Sequence, residues 1–166
     1  MLTQKRAIEI FNYNPETGDF FHAIKKGNQK KGWKAGHVDF KGRIYLSADG
    51  RNYFAHRVAW LYVKGEWPSA AIDHIDGNQT NNAISNLRLA THSENEWNQG
   101  KRKCNTSGYK NVSWTPSARK YRASFGFKGK TIFVGYFDDP KEAFEAYKAK
   151  AALYHGEFLN TGDANA

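Results

Sequence analysis

The chain has 166 residues, room for one medium domain or two small ones, with 25 lysines and arginines against 16 acids and a net charge of +9. Hydrophobic residues make up 40% and aromatics 15%, which excludes a disordered chain, and no apolar run reaches the length of a membrane span. Met1 to Arg6 lack the apolar stretch of a secretory signal, and the lone Cys104 excludes a disulfide framework or a cysteine-rich zinc site, so a soluble protein of a reducing compartment is expected.

In the first half, Asn14 to Asp19 reads as a turn leading into a short aromatic strand, Phe20 to Ala23, followed by a lysine- and glycine-rich mobile loop from Lys25 to Gly36. Arg43 to Leu46, Asp49-Gly50 and Asn52 to Phe54 read as a hairpin, because Asp-Gly supplies the positive φ angles of a primed turn. Ala55, Val58, Ala59 and Tyr62 fall at helical spacing, so a short helix over 56–64 is expected to stop at Gly65. A strand from Ile72 then runs into a polar loop through Asn82, Leu87 to Ala90 is a second strand, and Ser93-x-x-Glu96 opens a helix that ends near Gly100. Trp60, Tyr62, Trp67 and Trp97 are read as core.

After a basic stretch at 101–107, three alternating strands are expected around 111–114, 120–127 and 131–137. The second puts Tyr121, Ala123, Phe125 and Phe127 on one face and Arg122, Ser124, Gly126 and Lys128 on the other. Asp139-Pro140-Lys141-Glu142 caps a last helix whose stripe is Ala143, Phe144, Tyr147, Ala151 and Tyr154. The fold class is therefore α+β, ending in a small three-stranded antiparallel sheet with a helix on one face.

Charge is concentrated. Residues 1–96 hold 13 bases and 10 acids, 97–130 hold nine bases and no acid, and 131–166 hold three bases and six acids. A basic block interleaved with Trp114, Tyr121, Phe125 and Phe127 suits a folded surface that meets a polyanion.

The chemistry-bearing residues sit between these regions. Asp73 offers a charged oxygen and Asn95 a neutral one, enough for a hard cation that keeps most of its waters. His74 can act as a base near neutral pH, and Asn86 on the facing segment can hold its ring in one tautomer. One cation, one base and one orienting amide suffice to hydrolyse a phosphodiester. Adjacent strand residues point to opposite faces, so a strand end or bulge is expected at Asp73-His74.

The run A-I-D-H-I-D-G-N-Q-T-N-N-A-I-S-N-L-R-L-A-T-H-S-E-N-E-W-N, with A-H-R-V-A-W-L-Y and G-E-W-P upstream, closely resembles HNH endonucleases of the phage homing type, built on the ββα-metal fold. The resemblance implies that Asp73 and Asn95 are metal ligands, His74 the general base and Asn86 the asparagine that braces it. Asparagine at the third motif position points to Mg2+ or Mn2+, one per active site, and one cysteine leaves no structural zinc. Arg57 is a candidate contact to the scissile phosphate, and Asp76 has a turn role.

The stretch S-G-Y-K-N-V-S-W, then K-Y-R-A-S-F and G-Y-F-D-D-P-K-E-A-F-E-A-Y-K-A-K-A, resembles the APETALA-two (ethylene-response-factor-like) DNA-binding domain. That resemblance puts Lys110, Ser113, Arg122, Ser124, Lys128, Thr131 and Phe133 toward the major groove. The expected organisation is a supporting αβ region at 1–54, a nuclease core at 55–100, a linker at 101–107, a DNA-binding domain at 108–160 and a tail at 161–166. The expected partner is double-stranded DNA, with no membrane and no protein partner implied, in the cytoplasm of a bacterial host. The expected activity is nicking by a sequence-directed DNA endonuclease, with a non-catalytic DNA-binding regulator as the alternative.

Overall fold

The computed structural model describes residues 1–25, 27–102 and 104–161, which fall into two compact units, Met1–Ala90 and Thr91–Ala166. Lys103 of the basic stretch and residues 162–166 of the tail lie outside the described residues. No helix among the described residues is long and apolar enough to cross a membrane.

The first unit opens with α1 (Gln4–Ile10), a helix not foreseen from the sequence, whose first turn is capped by the Thr3 hydroxyl accepting from Arg6 N–H. Strands β1 (Phe11–Tyr13), β2 (Phe20–His22) and β3 (Lys34–Ala35) form one small sheet in that order, so the loop expected over 25–36 ends in a paired strand. A second sheet runs β4 (His37–Val38), β5 (Ile44–Ala48), β6 (Arg51–Phe54). Its β5–β6 turn is Asp49-Gly50 with φ of 48° and 77°, the primed geometry that Asp-Gly predicts. Helix α2 (Ala55–Lys64) stops at Gly65, whose φ of 84° suits a residue without a Cβ.

One apolar cluster joins these parts. Phe11, Phe20, Leu46, Ala48, Val58, Ala59 and Leu87 are buried together, and Trp60, Tyr62 and Trp67 pack half-buried against them. The unit ends in an antiparallel pair, β7 (Ala71–His74) and β8 (Leu87–Ala90), with Asp73 opposite Arg88 and His74 opposite Leu87. His74 is the last residue of its strand, which agrees with the expected strand end.

The second unit begins with α3 (His92–Asn98). Its capping box is Thr91 with Glu94, two residues earlier than the predicted Ser93 and Glu96, because the Thr91 hydroxyl accepts from Glu94 N–H while Glu94 accepts from Thr91 N–H. Strands β9 (Val112–Thr115), β10 (Lys120–Phe127) and β11 (Lys130–Phe137) form an antiparallel sheet with β10 central, and α4 (Pro140–His155) covers one face. Asp139 caps α4 by accepting from Lys141 and Glu142 N–H. Val112, Ala123 and Phe125 are buried against Ala143, Phe144, Tyr147 and Ala151. Tyr154, expected on this stripe, is 37% exposed and its neighbour His155 is buried instead.

α3 belongs to this second unit for a plain reason. The Trp97 indole stacks on His155 at 4.4 Å and on Phe127 at 5.5 Å, and donates to the Gly126 carbonyl at 3.1 Å.

Candidate active site

The connection between β7 and β8 is wound around one carboxylate. Asp76 accepts from Asn78 N–H at 2.8 Å, from the Asn86 amide at 2.9 Å and from the Asn81 amide at 2.7 Å. Partial burial pulls the Asp76 carboxyl upward, but these donors and nearby His74 outweigh it and hold the group below its ordinary value. Gly77, with φ of 72°, closes the turn onto the His74 carbonyl. Asp76 thus has the turn role its Asp-Gly-Asn setting predicts.

Asp73 and His74 are both buried, at 5% and 7% exposure. Arg88, directly across the ladder, donates Nε and Nη2 to Asp73 Oδ2 at 2.9 and 2.8 Å. The imidazole of His74 meets a different partner from the one expected. Its Nε2 lies 3.1 Å from Oδ1 of Asn82, a side chain only 1% exposed. An amide oxygen can only accept, so Nε2 carries a proton, and in the neutral ring the lone pair is on Nδ1. The amide orientation is supported on its other side by Asn82 Nδ2, which faces the Thr80 carbonyl at 3.4 Å.

Asn86 is therefore corrected. It accepts from Asp76 N–H at 3.0 Å and gives its amide to Asp76 and to the Asn81 carbonyl, so it braces the loop that carries Asn82. The physical reason is its place: its backbone carbonyl already continues the ladder to Ile75, which turns the side chain into the loop.

Residues 1–54 contribute a buttress for the same loop. The Tyr13 hydroxyl donates to the Asn82 carbonyl at 2.7 Å, and Ile84 N–H donates to the Pro15 carbonyl at 3.1 Å. Burial pushes the Tyr13 hydroxyl up to about 12, so it stays a donor. Gly18, at φ of 77°, lets the turn at 14–19 close on the loop, since a Cβ there would stand 2.3 Å from Ala83 N.

His56 was not assigned a site role from sequence, yet its ring meets His74 edge to face at 5.2 Å and stacks on Phe54 at 5.3 Å. Burial first, then the charges of His74, Arg57 and Arg43, push its pKa down to about 3, so it is a neutral ring near neutral pH. Arg57 is half-buried with its guanidinium over the Trp67 ring at 5.9 Å. No short-range sequence signal separates Asn82 from the other asparagines of the loop, and His56 is eighteen positions from the residue it packs on.

Asn95 stands on α3 in the second unit, its backbone N–H bonded to the Thr91 carbonyl at 3.0 Å. Among the described residues no three His, Cys, Asp or Glu side chains gather into a metal cluster. The donor chemistry of Asp73, a buried carboxylate with one oxygen engaged by Arg88, fits a hard cation that takes few protein oxygens and retains water.

In the second unit, strand register sets Arg122 beside Ser113 and Tyr136, Ser124 beside Phe133, and Gly126 beside Thr131, on the face opposite α4. The Arg122 guanidinium lies 5.8 Å over Phe133, and Phe133 is 45% exposed. Lys128, at φ of 49°, sits in the two-residue turn after β10. Lys110 does not share this face. It is 7% exposed, donates to the Trp97 and Asn160 carbonyls at 2.6 and 2.7 Å, and is pushed down to about 8 by burial. It is corrected from a DNA contact to an internal clasp that satisfies a carbonyl in the last turn of α3. A groove of about 740 Å³ in this unit is lined by residues that include Ser93, Trp97, Arg102, Ser113, Ser124 and Lys128.

Comparison with known proteins places a family model, HNH endonuclease, on residues 53–97. The chain is 43% identical over 104 residues to Protein 3.8 of Escherichia phage T7, covering 62% of this chain and 85% of that protein. It is 35% identical over 105 residues to a protein of Acanthamoeba polyphaga mimivirus described as uncharacterized HNH endonuclease L560, covering 62% of this chain and 54% of the relative. A solved structure titled DNA binding and cleavage by the HNH homing endonuclease I-HmuI is similar at 26% identity and a TM-score of 0.39, over 54% of this chain and 51% of that one. The chain thus spans about half the length of the last two.

Proposed function

We propose that this chain, whose residues 53–97 match the HNH endonuclease family model, is a sequence-directed, metal-dependent DNA endonuclease that hydrolyses phosphodiesters one strand at a time. The observation that carries the reading is the buried Asp73-His74 pair at the end of β7, inside the matched segment, with His74 Nε2 held by Asn82.

In this reading His74 takes a proton from the attacking water at Nδ1, since Nε2–H is committed to Asn82. The water oxygen bonds to phosphorus and the bond to the 3′ oxygen breaks, leaving 5′ phosphate and 3′ hydroxyl. Asp73 and Asn95 would hold Mg2+ or Mn2+, which supplies charge stabilisation at the phosphate and leaving oxygens. Arg88 holds the Asp73 carboxylate in place from across the ladder. Asn86 acts through the loop it braces, and Arg57 is the candidate phosphate contact. The open face of the second sheet, with Ser113, Arg122, Ser124, Thr131 and Phe133 and the turn residue Lys128, is the duplex-reading surface, supported by its exposure and by the basic block at 97–130. The phage relative supports a setting in the cytoplasm of an infected host.

The test is supercoiled plasmid incubated with the full chain and Mg2+, Mn2+ or chelator, beside His74→Ala. Metal-dependent open circles that disappear with His74→Ala are the expected result. Duplex binding without cleavage under either metal would replace this reading with a non-catalytic DNA-binding regulator.

A further inference from the structure

The β4–β5 turn presents a feature that the site does not use. Its loop is three residues, Phe40, Lys41 and Gly42, and it is unusually well bonded. Asp39 N–H donates to the Arg43 carbonyl at 2.9 Å, and Gly42 N–H donates to the Asp39 carbonyl at 3.0 Å. Asp39 Oδ1 accepts from Lys41 and Arg43 N–H, both at 2.9 Å, and Oδ2 accepts from Arg43 Nε and Nη2 at 2.9 and 2.6 Å. Gly42 supplies the left-handed residue, φ of 80°, that closes such a turn.

None of those bonds involves the Phe40 side chain, which is 93% exposed at the tip. Nor is it alone. Val38 is 61% exposed and Trp33 55%, and lysines lie over two of these rings, Lys41 over Phe40 at 5.5 Å and Lys30 over Trp33 at 5.4 Å. Residues 25–43 hold seven lysines and arginines against a single acid, Asp39, whose charge is spent on Arg43. Outside that segment, residues 1–96 carry six bases and nine acids, so the local surplus is a property of this edge of the unit.

An apolar ring on a well-bonded turn, with Lys41 over its face and a lysine-rich segment before it in the chain, suits a polyanion that also offers apolar surface. Duplex DNA offers both, phosphates outside and base-pair faces within each step. A ring carried on a backbone already fixed by its turn gives up only side-chain freedom on insertion, and apolar wedges of this kind unstack a step and bend the duplex. We propose that Phe40 is a wedge that enters a base step of the bound duplex while Lys41 and the lysines Lys25, Lys30 and Lys31 hold the flanking phosphates. The inference rests on the reading of DNA as substrate.

The test uses the full chain, closed-circular plasmid, chelator to prevent cleavage, and a type I topoisomerase that needs no metal. Inserted wedges unwind DNA, so the parent should lower the linking number of the relaxed plasmid. Phe40→Ala, at an exposed position that leaves the turn bonds intact, should lose this shift and bind the plasmid about tenfold more weakly, within the range for one base–aromatic contact. Phe40→Leu should retain part of the unwinding. Lys41→Ala should still unwind but show a salt dependence shallower by about 0.9 in log–log slope. Phe40→Ala that unwinds and binds like the parent overturns the wedge, as does a parent that binds plasmid without unwinding it. A parent that binds no duplex at all overturns the DNA reading itself.

Discussion

Asn82→Ala removes the acceptor that His74 Nε2 faces at 3.1 Å, at a position 1% exposed. A buried N–H left without a partner costs about 1–3 kcal/mol, and no water reaches it cheaply in so closed a loop. In a unit of the size of Met1–Ala90, each kcal/mol lowers Tm by about 4–8 °C, so a fall of about 10 °C is expected. The kinetic consequence is separate. Without Asn82 the ring is free to take the other tautomer, which puts the proton on the nitrogen that should receive one. A positioned base is worth about 10²–10⁴ in rate, and losing its orientation should lower kcat for plasmid nicking about a hundredfold. Asn82→Asp tests orientation apart from stability. Its carboxylate still accepts from Nε2–H, so the rate should recover, while Tm should not, because an oxygen now faces the Thr80 carbonyl at the site of the 3.4 Å contact. Long-range proton–nitrogen NMR of the histidine rings reads the tautomer directly. A proton on Nδ1 in the parent, or a kcat for Asn82→Ala equal to the parent's, would refute the assignment.

Three further outcomes are expected. Arg88→Ala leaves the buried Asp73 carboxylate without its cross-strand cation, a loss of about 3–5 kcal/mol for a closed ion pair, and added Mn2+ should raise the Tm of this variant more than that of the parent; equal metal shifts would argue against Asp73 as a ligand. Gly18→Ala places a methyl 2.3 Å from Ala83 N on a left-handed backbone, so thermal unfolding should move down by at least the value of about 1–2 kcal/mol that such a backbone costs, and nicking should fall with it because Asn82 is displaced. His56 has a folded pKa of about 3 against an ordinary 6.5, so the unfolded chain binds the extra proton between these values. Its contribution is therefore complete above pH 6.5 and is lost as pH falls toward 3; His56→Phe, which keeps a ring against His74, should flatten that part of a chemical-denaturation profile, and an unchanged profile would show that His56 titrates elsewhere.

The sequence by itself determined whatever local chemistry decides. Asp49-Gly50, Gly65 and Asp139-Pro140 marked a turn, a helix stop and a helix start, since each rests on one residue's permitted backbone or one side chain's reach. Period-two alternation likewise separated the two faces of β10, with Ala123 and Phe125 inside and Arg122 and Ser124 opposite. Asp73 and His74 were legible as a chemical pair because their motif is contiguous. Tertiary structure decided the rest. Seven of the twelve residues from Asn78 to Leu89 are polar amides or hydroxyls, and only the fold selects Asn82 for His74 and Asn86 for Asp76. Lys110 reads as surface charge in the sequence, yet two carbonyls brought together from Trp97 and Asn160 make an interior site that holds an ammonium. The capping box on α3 moved to Thr91 and Glu94 because competing Ser/Thr-x-x-Glu registers are equal in sequence and are separated only by where β8 ends. Periodicity and capping act over a few residues along the chain, whereas these partners are chosen by contacts across the fold, which no local pattern encodes.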